Sequence, residues 1–456
     1  MVSPKIEELR AQIRGRAITE ADAGYDDARK VYNAMHDRRP ALVVQCANAG
    51  DVMAAVNYAR DQGGDLSVRG GSHSAPGFGT NDGGVVIDLS PMRGIRVDPR
   101  AQTARADGGC TWGDFNHATH AFGLATTGGI VSTTGIAGLT LGGGIGYLTR
   151  GLGLSLDNLL SADVVTADGQ FLVASDKENE DLFWALRGGG GNFGVVTSFE
   201  YRLHPIKDIL VGIFVFPLER ARDVFQFYRG FIRTAPEELG AYPAYLVAPP
   251  LPFLPEKEHG KTFCGMVACW AGPLDKGEQA FAPIRRVAAT VGEMVSPMPY
   301  PAINALFDAL LPPGLQQYWK GSFATELTDQ AIEAHLAHGP KIPTMNCAMH
   351  IYPIDGACSR VAPDATAFSY RDAKFATVIA GAWPDPADNE KNIKWVKDYY
   401  KALEPHSLAG GYINFMDADD QGRIKENYKG NYARLVSIKK TYDPGNLFHL
   451  NQNIKP

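Results

Sequence analysis

The residues of this chain that could do chemistry sit among glycines. Ser67–Gly77 reads SVRGGSHSAPG: Arg69, Gly70 and Gly71 end a strand, and Ser72, His73 and Ser74 follow at once. Glycines at such a turn reach φ > 0 and let successive N–H groups converge on an anion, so a diphosphate could lie against it. A neutral imidazole just beyond could attack the 8-methyl carbon of an isoalloxazine and form a lasting C–N bond. Taken alone, the run reads better as a glycine turn with an exposed histidine.

Three further runs change that balance. Thr127–Gly146 has eight glycines in twenty residues, including Gly129, Gly135, Gly138, Gly142, Gly143 and Gly146. That is too many for an ordinary helix or strand, so a ligand or another backbone must approach closely. Leu154–Asn158 precedes a strand at Asp163–Ala167. Arg187–Val196 reads RGGGGNFGVV and closes on Gly194, Val195 and Val196. The formal Gly-x-Gly-x-x-Gly at Gly189, Gly191 and Gly194 has a helix before it and a strand after it. That order is the reverse of a dinucleotide-binding turn, so it is not read as an NAD site.

The elements that must position these runs follow from periodicity. Ala41–Cys46 reads as a strand, Ala47–Gln62 as a helix stopped by Gly63-Gly64, and Leu66–Arg69 as the next strand of a βαβ unit. Val85–Leu89, Gly94–Asp98 and Thr103–Gly108 read as a meander. Ala162–Ala167 and Phe171–Ala174 flank Asp168-Gly169, a hairpin signal. Glu180–Leu186 is helical and Val195–Leu203 is a strand. From about residue 206 glycine thins out. Strands at Ile209–Phe216, Phe263–Trp270 and Ala376–Ala380 alternate with helical Leu218–Arg233, Asp275–Val291 and Lys391–Leu403. This predicts an α+β lobe with an antiparallel sheet. Ala248–Lys257 and Pro297–Pro301 read as proline-rich loops, and Tyr432–Lys440 as a last helix.

Composition bounds the function. At 456 residues the chain exceeds a single core, so two lobes are expected. A net charge of −6 with no basic run argues against nucleic acid. Met1–Arg16 has no apolar core, so it is not a signal peptide, and no stretch is long enough to span a bilayer. A soluble, cytoplasmic protein is expected. The six cysteines form no zinc pattern and are read as reduced thiols. No metal site is predicted: Asp417, Asp419 and Asp420 read as a solvated loop.

In this order the four glycine runs resemble the berberine bridge enzyme-like family of the vanillyl-alcohol oxidase flavoproteins, with their PCMH-type FAD-binding domain. The resemblance continues through Gly356-Ala357, Thr366–Phe368 and Arg371. It ends in GYIN at Gly411–Asn414, YKGN at Tyr428–Asn431, YDP at Tyr442–Pro444, Asn446–Phe448, Gln452, Ile454 and Pro456. It implies an FAD domain over 1–205, completed by 427–456, around a substrate domain over 206–426. It also implies an oxidase that takes hydride from a C–H beside O or N of a small molecule and gives H2O2 from O2. The rivals are a dehydrogenase on the same scaffold and a flavin-binding protein without turnover.

Residue by residue, the resemblance places the flavin bond on His73. The cysteine that adds a second bond in many members is Val131 here, and Cys110 does not match, so one bond is expected. Thr133 and Thr134 follow, with Thr134 at the position that gates oxygen; threonine is nearly isosteric with the valine of oxidases. Asn158 and Asn451 join the glycine runs as FAD contacts. Gly411–Phe415 should be a strand facing the flavin, with Tyr412 and Asn414 on one face and Phe415 on the other. Tyr412 is the expected base. A phenol needs a partner to act at neutral pH, and His350 and Tyr352, alternating along Ala348–Tyr352, are candidates. Packing is the alternative role for both.

Overall fold

The computed structural model describes residues 3–456, so Met1 and Val2 of the leading segment lie outside it. Three sheets build the molecule. The first contains β1 (Arg16–Ile18), β2 (Leu42–Gln45), β3 (Leu66–Arg69) and β4 (Val85–Asp88), in the order β1-β2-β4-β3. The helix Ala49–Gln62 joins β2 to β3, capped by the Asn48 side chain and ended at Gly63. β4 was expected in a meander. It lies instead between β2 and β3, parallel to both. Its sequence VVID is buried at every position, which suits a central parallel strand and not a hairpin with one wet face.

The second sheet is antiparallel: β5 (Ile95–Asp98), β6 (Thr103–Asp107), β7 (Leu159–Val165), β8 (Phe171–Ser175) and β9 (Val195–Arg202), ordered β5-β6-β9-β7-β8. The expected Asp168-Gly169 turn joins β7 and β8, with Gly169 at φ +80°.

The third sheet has seven antiparallel strands: β10 (Asp208–Phe216), β11 (Leu239–Val247), β12 (Thr262–Trp270), β13 (Gly292–Pro299), β14 (Gln316–Ala324), β15 (Ala348–Pro353) and β16 (Phe375–Trp383). Their order is β13-β10-β12-β11-β15-β16-β14. Pro297 and Pro299, read as loop residues, lie in β13. That strand is an edge, where a residue without an N–H costs no ladder bond. Helices Ala221–Thr234, Asp329–His338 and Asn389–Leu403 bury Val224, Phe225, Ile332 and Tyr399 against one face. On the other face Tyr242, Tyr352 and Val378 pack with Ile145, Tyr147 and Leu154 of the first lobe. The α+β expectation holds.

The C-terminal residues return to the first lobe, where Leu435, Ile438 and Ile454 pack with Phe193 and Phe199. Lys439 fixes this return. Its buried ammonium pairs with Asp443 at 2.6 Å and donates to the carbonyls of Asn192 and Phe448. Among the described residues no helix is long and apolar enough to cross a membrane.

Candidate FAD site

The glycine runs meet one another before they meet anything else. A Cβ on Gly71 would lie 2.2 Å from the Gly135 nitrogen, and one on Gly135 would lie 2.4 Å from the Gly71 nitrogen. Only glycine lets these two backbones cross. Gly188 and Gly190 donate to the Leu141 carbonyl, so the fourth run crosses the second in the same way.

Beneath these crossings lies one cavity of about 350 Å³, bounded by all three sheets. Arg69, Gly70, Gly71, Ser72, His73, Ser74, Gly129, Val131, Thr134, Gly135, Gly138, Gly194, Val196 and Asn451 line it as expected. Tyr412, Asn414, His350 and Tyr352 line it too.

The cavity fits an anionic, elongated cofactor. Among the described residues, the N–H groups of Gly71, Ser72 and His73 have no acceptor. Ser72 is held at φ +66°, a left-handed conformation that costs a residue with a Cβ about 1–2 kcal/mol and turns this backbone toward the cavity. A Cβ on Gly138 or Gly191, both lining the cavity, would meet no protein atom within 4 Å. Space that the protein leaves beside a glycine is space for a ligand.

Several expected contacts fall elsewhere. Arg69 lines the wall, but its guanidinium pairs with Asp88 at 2.7 Å and donates to the carbonyls of Ala28 and Lys30. Three of its five N–H donors are thus taken by the protein. Asn158 donates to the carbonyls of Leu152 and Leu154 and faces His204, closing a turn away from the cavity. Gly142 and Gly143 stand behind the cavity, where a Cβ would strike Asn414 and the Tyr412 ring. Gly146 backs onto the Gly128 carbonyl, and Val195 is core. Thr133 is not lining either, but it touches His73.

His73 is fixed on three sides. Its ring stacks on Tyr32 at 3.8 Å, Nε2 lies 2.9 Å from Thr133 Oγ1, and Nδ1 lies 3.5 Å from Thr134 Oγ1. The Tyr32 hydroxyl donates to the Leu311 carbonyl, and Thr133 donates to the Tyr32 oxygen at 3.3 Å. With its own proton used, Thr133 can only accept from His73. Hydrogen-bond accounting therefore puts the ring proton on Nε2 and leaves the lone pair on Nδ1. Burial pushes the imidazole down to about 3, so it is neutral. Cys110 is buried at the end of β6, outside the lining, with its thiol pushed up to about 12.

Gly411–Phe415 is not a strand. Ile413–Phe415 forms a 3-10 turn, so the alternation argument fails. Tyr412 and Asn414 still meet, Asn414 Nδ2 donating to the Tyr412 oxygen at 2.9 Å. Phe415, expected to point away, lies edge-on to Tyr412 at 4.7 Å and lines the cavity. The Tyr412 oxygen also accepts from the N–H groups of Gly144 at 2.7 Å and Ile145 at 3.4 Å. Burial holds its phenol up at about 12. Across the cavity, His350 Nδ1 and the Tyr352 hydroxyl are 2.8 Å apart. Burial pushes His350 down to about 4 and Tyr352 well above its usual value, so a neutral ring accepts from a protonated phenol.

Asp417, Asp419 and Asp420 are not a solvated loop. Lys320, buried in β14, pairs with Asp419 at 2.5 Å and Asp420 at 2.7 Å, and Tyr318 donates to Asp419. Sequence reading missed Tyr32, and offered Trp319 only as one of five substrate-lobe aromatics, with Tyr242, Tyr245, Trp270 and Tyr318. Nothing near either marks a site; both reach it through contacts distant along the chain.

Comparison with known proteins agrees with this geometry. An FAD binding domain matches residues 40–175, and the berberine and berberine-like family matches 411–455. An FAD-linked oxidoreductase of Dictyostelium discoideum is 32% identical over 99% of this chain and 97% of its own. (R)-6-hydroxynicotine oxidase of Paenarthrobacter nicotinovorans is 31% identical over 97% of each chain. The crystal structure of 6-hydroxy-D-nicotine oxidase from Arthrobacter nicotinovorans superposes with a TM-score of 0.85 at 29% identity, covering 100% of both chains. With its crossed glycine loops and its cavity between three sheets, the chain belongs to the berberine bridge enzyme-like family and is an FAD-linked oxidoreductase.

Proposed function

We propose that the protein is an oxidase that carries FAD on one covalent bond, from His73 Nδ1, and oxidises a C–H beside O or N of a small molecule. The reading includes a lobe boundary at 205/206, with 427–456 completing the FAD lobe, and a cytoplasmic location. One observation carries it: a single cavity has a neutral, oriented His73 on one wall and the hydrogen-bonded His350–Tyr352 pair on another. The relative that oxidises 6-hydroxynicotine supports the reaction class. Bound here, FAD would take up the hydride and pass the electron pair to O2, giving H2O2.

The chain's own groups supply the rest. The N–H groups of Gly71, Ser72 and His73 hold the anionic part of the cofactor. Val131, standing where a second bond would form, leaves the attachment single. Tyr352 takes the substrate's O–H or N–H proton on its oxygen while its own proton passes to His350 Nδ1. Tyr412, with three donors on its oxygen, is a positioning residue: it pins the 411–415 segment to the Gly143–Ile145 turn.

Acid-denatured protein should stay yellow, and His73→Ala should release its flavin into the supernatant. Flavin retained by that variant, or found on Cys110, refutes the single bond. Slow reaction with O2 beside fast dye reduction would make the enzyme a dehydrogenase.

A further inference from the structure

We infer that Tyr32 is a positioning residue for the attachment of the flavin: its ring fixes the plane of the His73 imidazole and shares the charge that the imidazole acquires as the bond forms. This rests on the covalent reading of His73.

Tyr32 stacks on His73 without lining the cavity itself. It is tied at three points. Its N–H donates to Ser72 Oγ at 3.1 Å, its carbonyl accepts from the Gly314 N–H at 3.1 Å, and its hydroxyl donates to the Leu311 carbonyl. Asn33, which is buried, completes the hold. Its Nδ2 donates to the Ala75 carbonyl at 2.6 Å and the Gln317 carbonyl at 2.8 Å, and its Oδ1 accepts from the Gln317 N–H at 2.9 Å. Tyr32 and Asn33 thus bolt the loop that carries His73 to the start of β14. A ring held in this way gives the imidazole a fixed surface to lie on.

Orientation follows. Thr134, beside Nδ1, lines the cavity, whereas Thr133, beside Nε2, does not. Nδ1 is therefore the nitrogen on the cavity side. Its contact with Thr134, 3.5 Å, is too long to hold the lone pair. The Tyr32 oxygen sets the tautomer. By accepting from Thr133 it leaves Thr133 only an acceptor for the Nε2 proton.

Charge is the second demand. Attachment forms the Nδ1–C bond and breaks one C–H bond of the 8-methyl group. The electron pair of that C–H bond stays on the flavin, and the methyl proton and the Nε2 proton leave. O2 then takes the pair with two protons and gives H2O2. Until the Nε2 proton leaves, the imidazole is a cation. Burial works against a cation here, holding the free ring down at about 3, and among the described residues no carboxylate is hydrogen-bonded to it. What faces the ring is Tyr32, 3.8 Å away and 28° from parallel. The π face of a phenol attracts a cation at this distance, most strongly where water is excluded.

The test follows bond formation, not turnover. The full chain is made in riboflavin-limited cells and mixed with excess FAD in air. Samples are desalted and precipitated in acid over time, and flavin is measured in pellet and supernatant. The unaltered protein should move its flavin wholly into the pellet. Tyr32→Leu should bind FAD and form the bond at least about tenfold more slowly. Tyr32→Phe keeps the ring but frees Thr133 to donate to Nε2, so it should be slowed only about threefold. A packing role alone would lower Tm and FAD content and leave the rate among FAD-bound molecules unchanged. Tyr32→Leu protein that behaves so overturns the inference. If Tyr32→Leu does not fold, Tyr32→Phe decides, and attachment at the unaltered rate overturns it. Failure of the covalent reading shows differently: the unaltered protein itself would release all its flavin to the supernatant.

Discussion

At the scale of single residues, two side chains share the region where a base was expected, and their environments separate them. Tyr412 is surrounded by donors and spans two segments of backbone, whereas the Tyr352 hydroxyl donates a hydrogen bond to a neutral imidazole. General-base groups contribute about 10²–10⁴-fold. Tyr352→Phe should therefore slow anaerobic flavin reduction by at least roughly two orders of magnitude with bound flavin retained. Tyr412→Phe should chiefly lower flavin content and thermal stability. The opposite pattern would return the role to Tyr412. Because burial lowers His350 to about 4, the reductive rate should be level through neutral pH and fall as pH approaches that value, where a protonated ring accepts nothing. Thr134 makes a separate case. It lines the cavity 3.5 Å from His73, so Thr134→Leu should slow reoxidation by O2 and leave reduction nearly unchanged. Equal slowing of both half-reactions would count against a gating role. His73 and Thr134 were legible as cavity residues only through the family resemblance, and His350 and Tyr352 through their alternation along one strand. Tyr32 was not, since a tyrosine forty-one residues before His73 carries no local sign that the two rings will stack.

At the scale of elements, glycine placement was readable and its purpose only in part. Eight glycines between Thr127 and Gly146 announced a close approach, but not that at Gly135 and Gly146 it is backbone against backbone. Gly71→Ala makes the distinction measurable. Its Cβ would lie 2.2 Å from the Gly135 nitrogen, and neither loop can yield without moving His73 or Thr134. The variant should keep its circular dichroism and lose bound FAD. Gly138→Ala, whose Cβ meets no protein atom, should fold normally and lose affinity only through the ligand. Normal FAD content in Gly71→Ala would mean that the loops adjust. Strand assignment failed where context overrode pattern. Val85–Asp88 satisfied a meander locally, yet burial on both faces made it central to a parallel sheet. Gly411–Phe415 alternated like a strand, yet the Phe415 N–H closes onto the Tyr412 carbonyl and makes it a turn. The strands and helices that did match, such as Leu66–Arg69 and Glu180–Leu186, have local pattern and tertiary burial in agreement.

At the scale of the whole molecule, the passage from the second sheet, ending at Arg202, to the third, beginning at Asp208, was visible in the shift of texture near residue 206. The placement of titrating groups in the packed cores was not, because burial is a tertiary property. It has a consequence for stability. His335 lies between Phe225, stacked at 5.3 Å, and Tyr399, whose hydroxyl is 2.7 Å from Nδ1; burial pushes it down to about 3. His350 is pushed down to about 4. In the unfolded chain both take up protons near pH 6.5. Their contribution to stability is thus complete above about pH 6.5 and is lost as pH falls from there toward the folded values, because the unfolded state binds protons that the folded state refuses. Asp417 works against this. Burial raises it to about 6, so the folded state gains a proton that an unfolded carboxyl, near 3.8, does not yet hold. Between about pH 6 and 4 the buried histidines, His73 among them, outweigh this aspartate, so stability falls with pH. Tm should therefore decline through this window and not above it. His335→Phe, which keeps the stack and removes the proton site, should flatten the decline, and Asp417→Asn should steepen it. A Tm constant from pH 7 to 4.5, or a His335→Phe variant that declines as steeply as the unaltered protein, would show that buried histidine titration does not govern acid stability here.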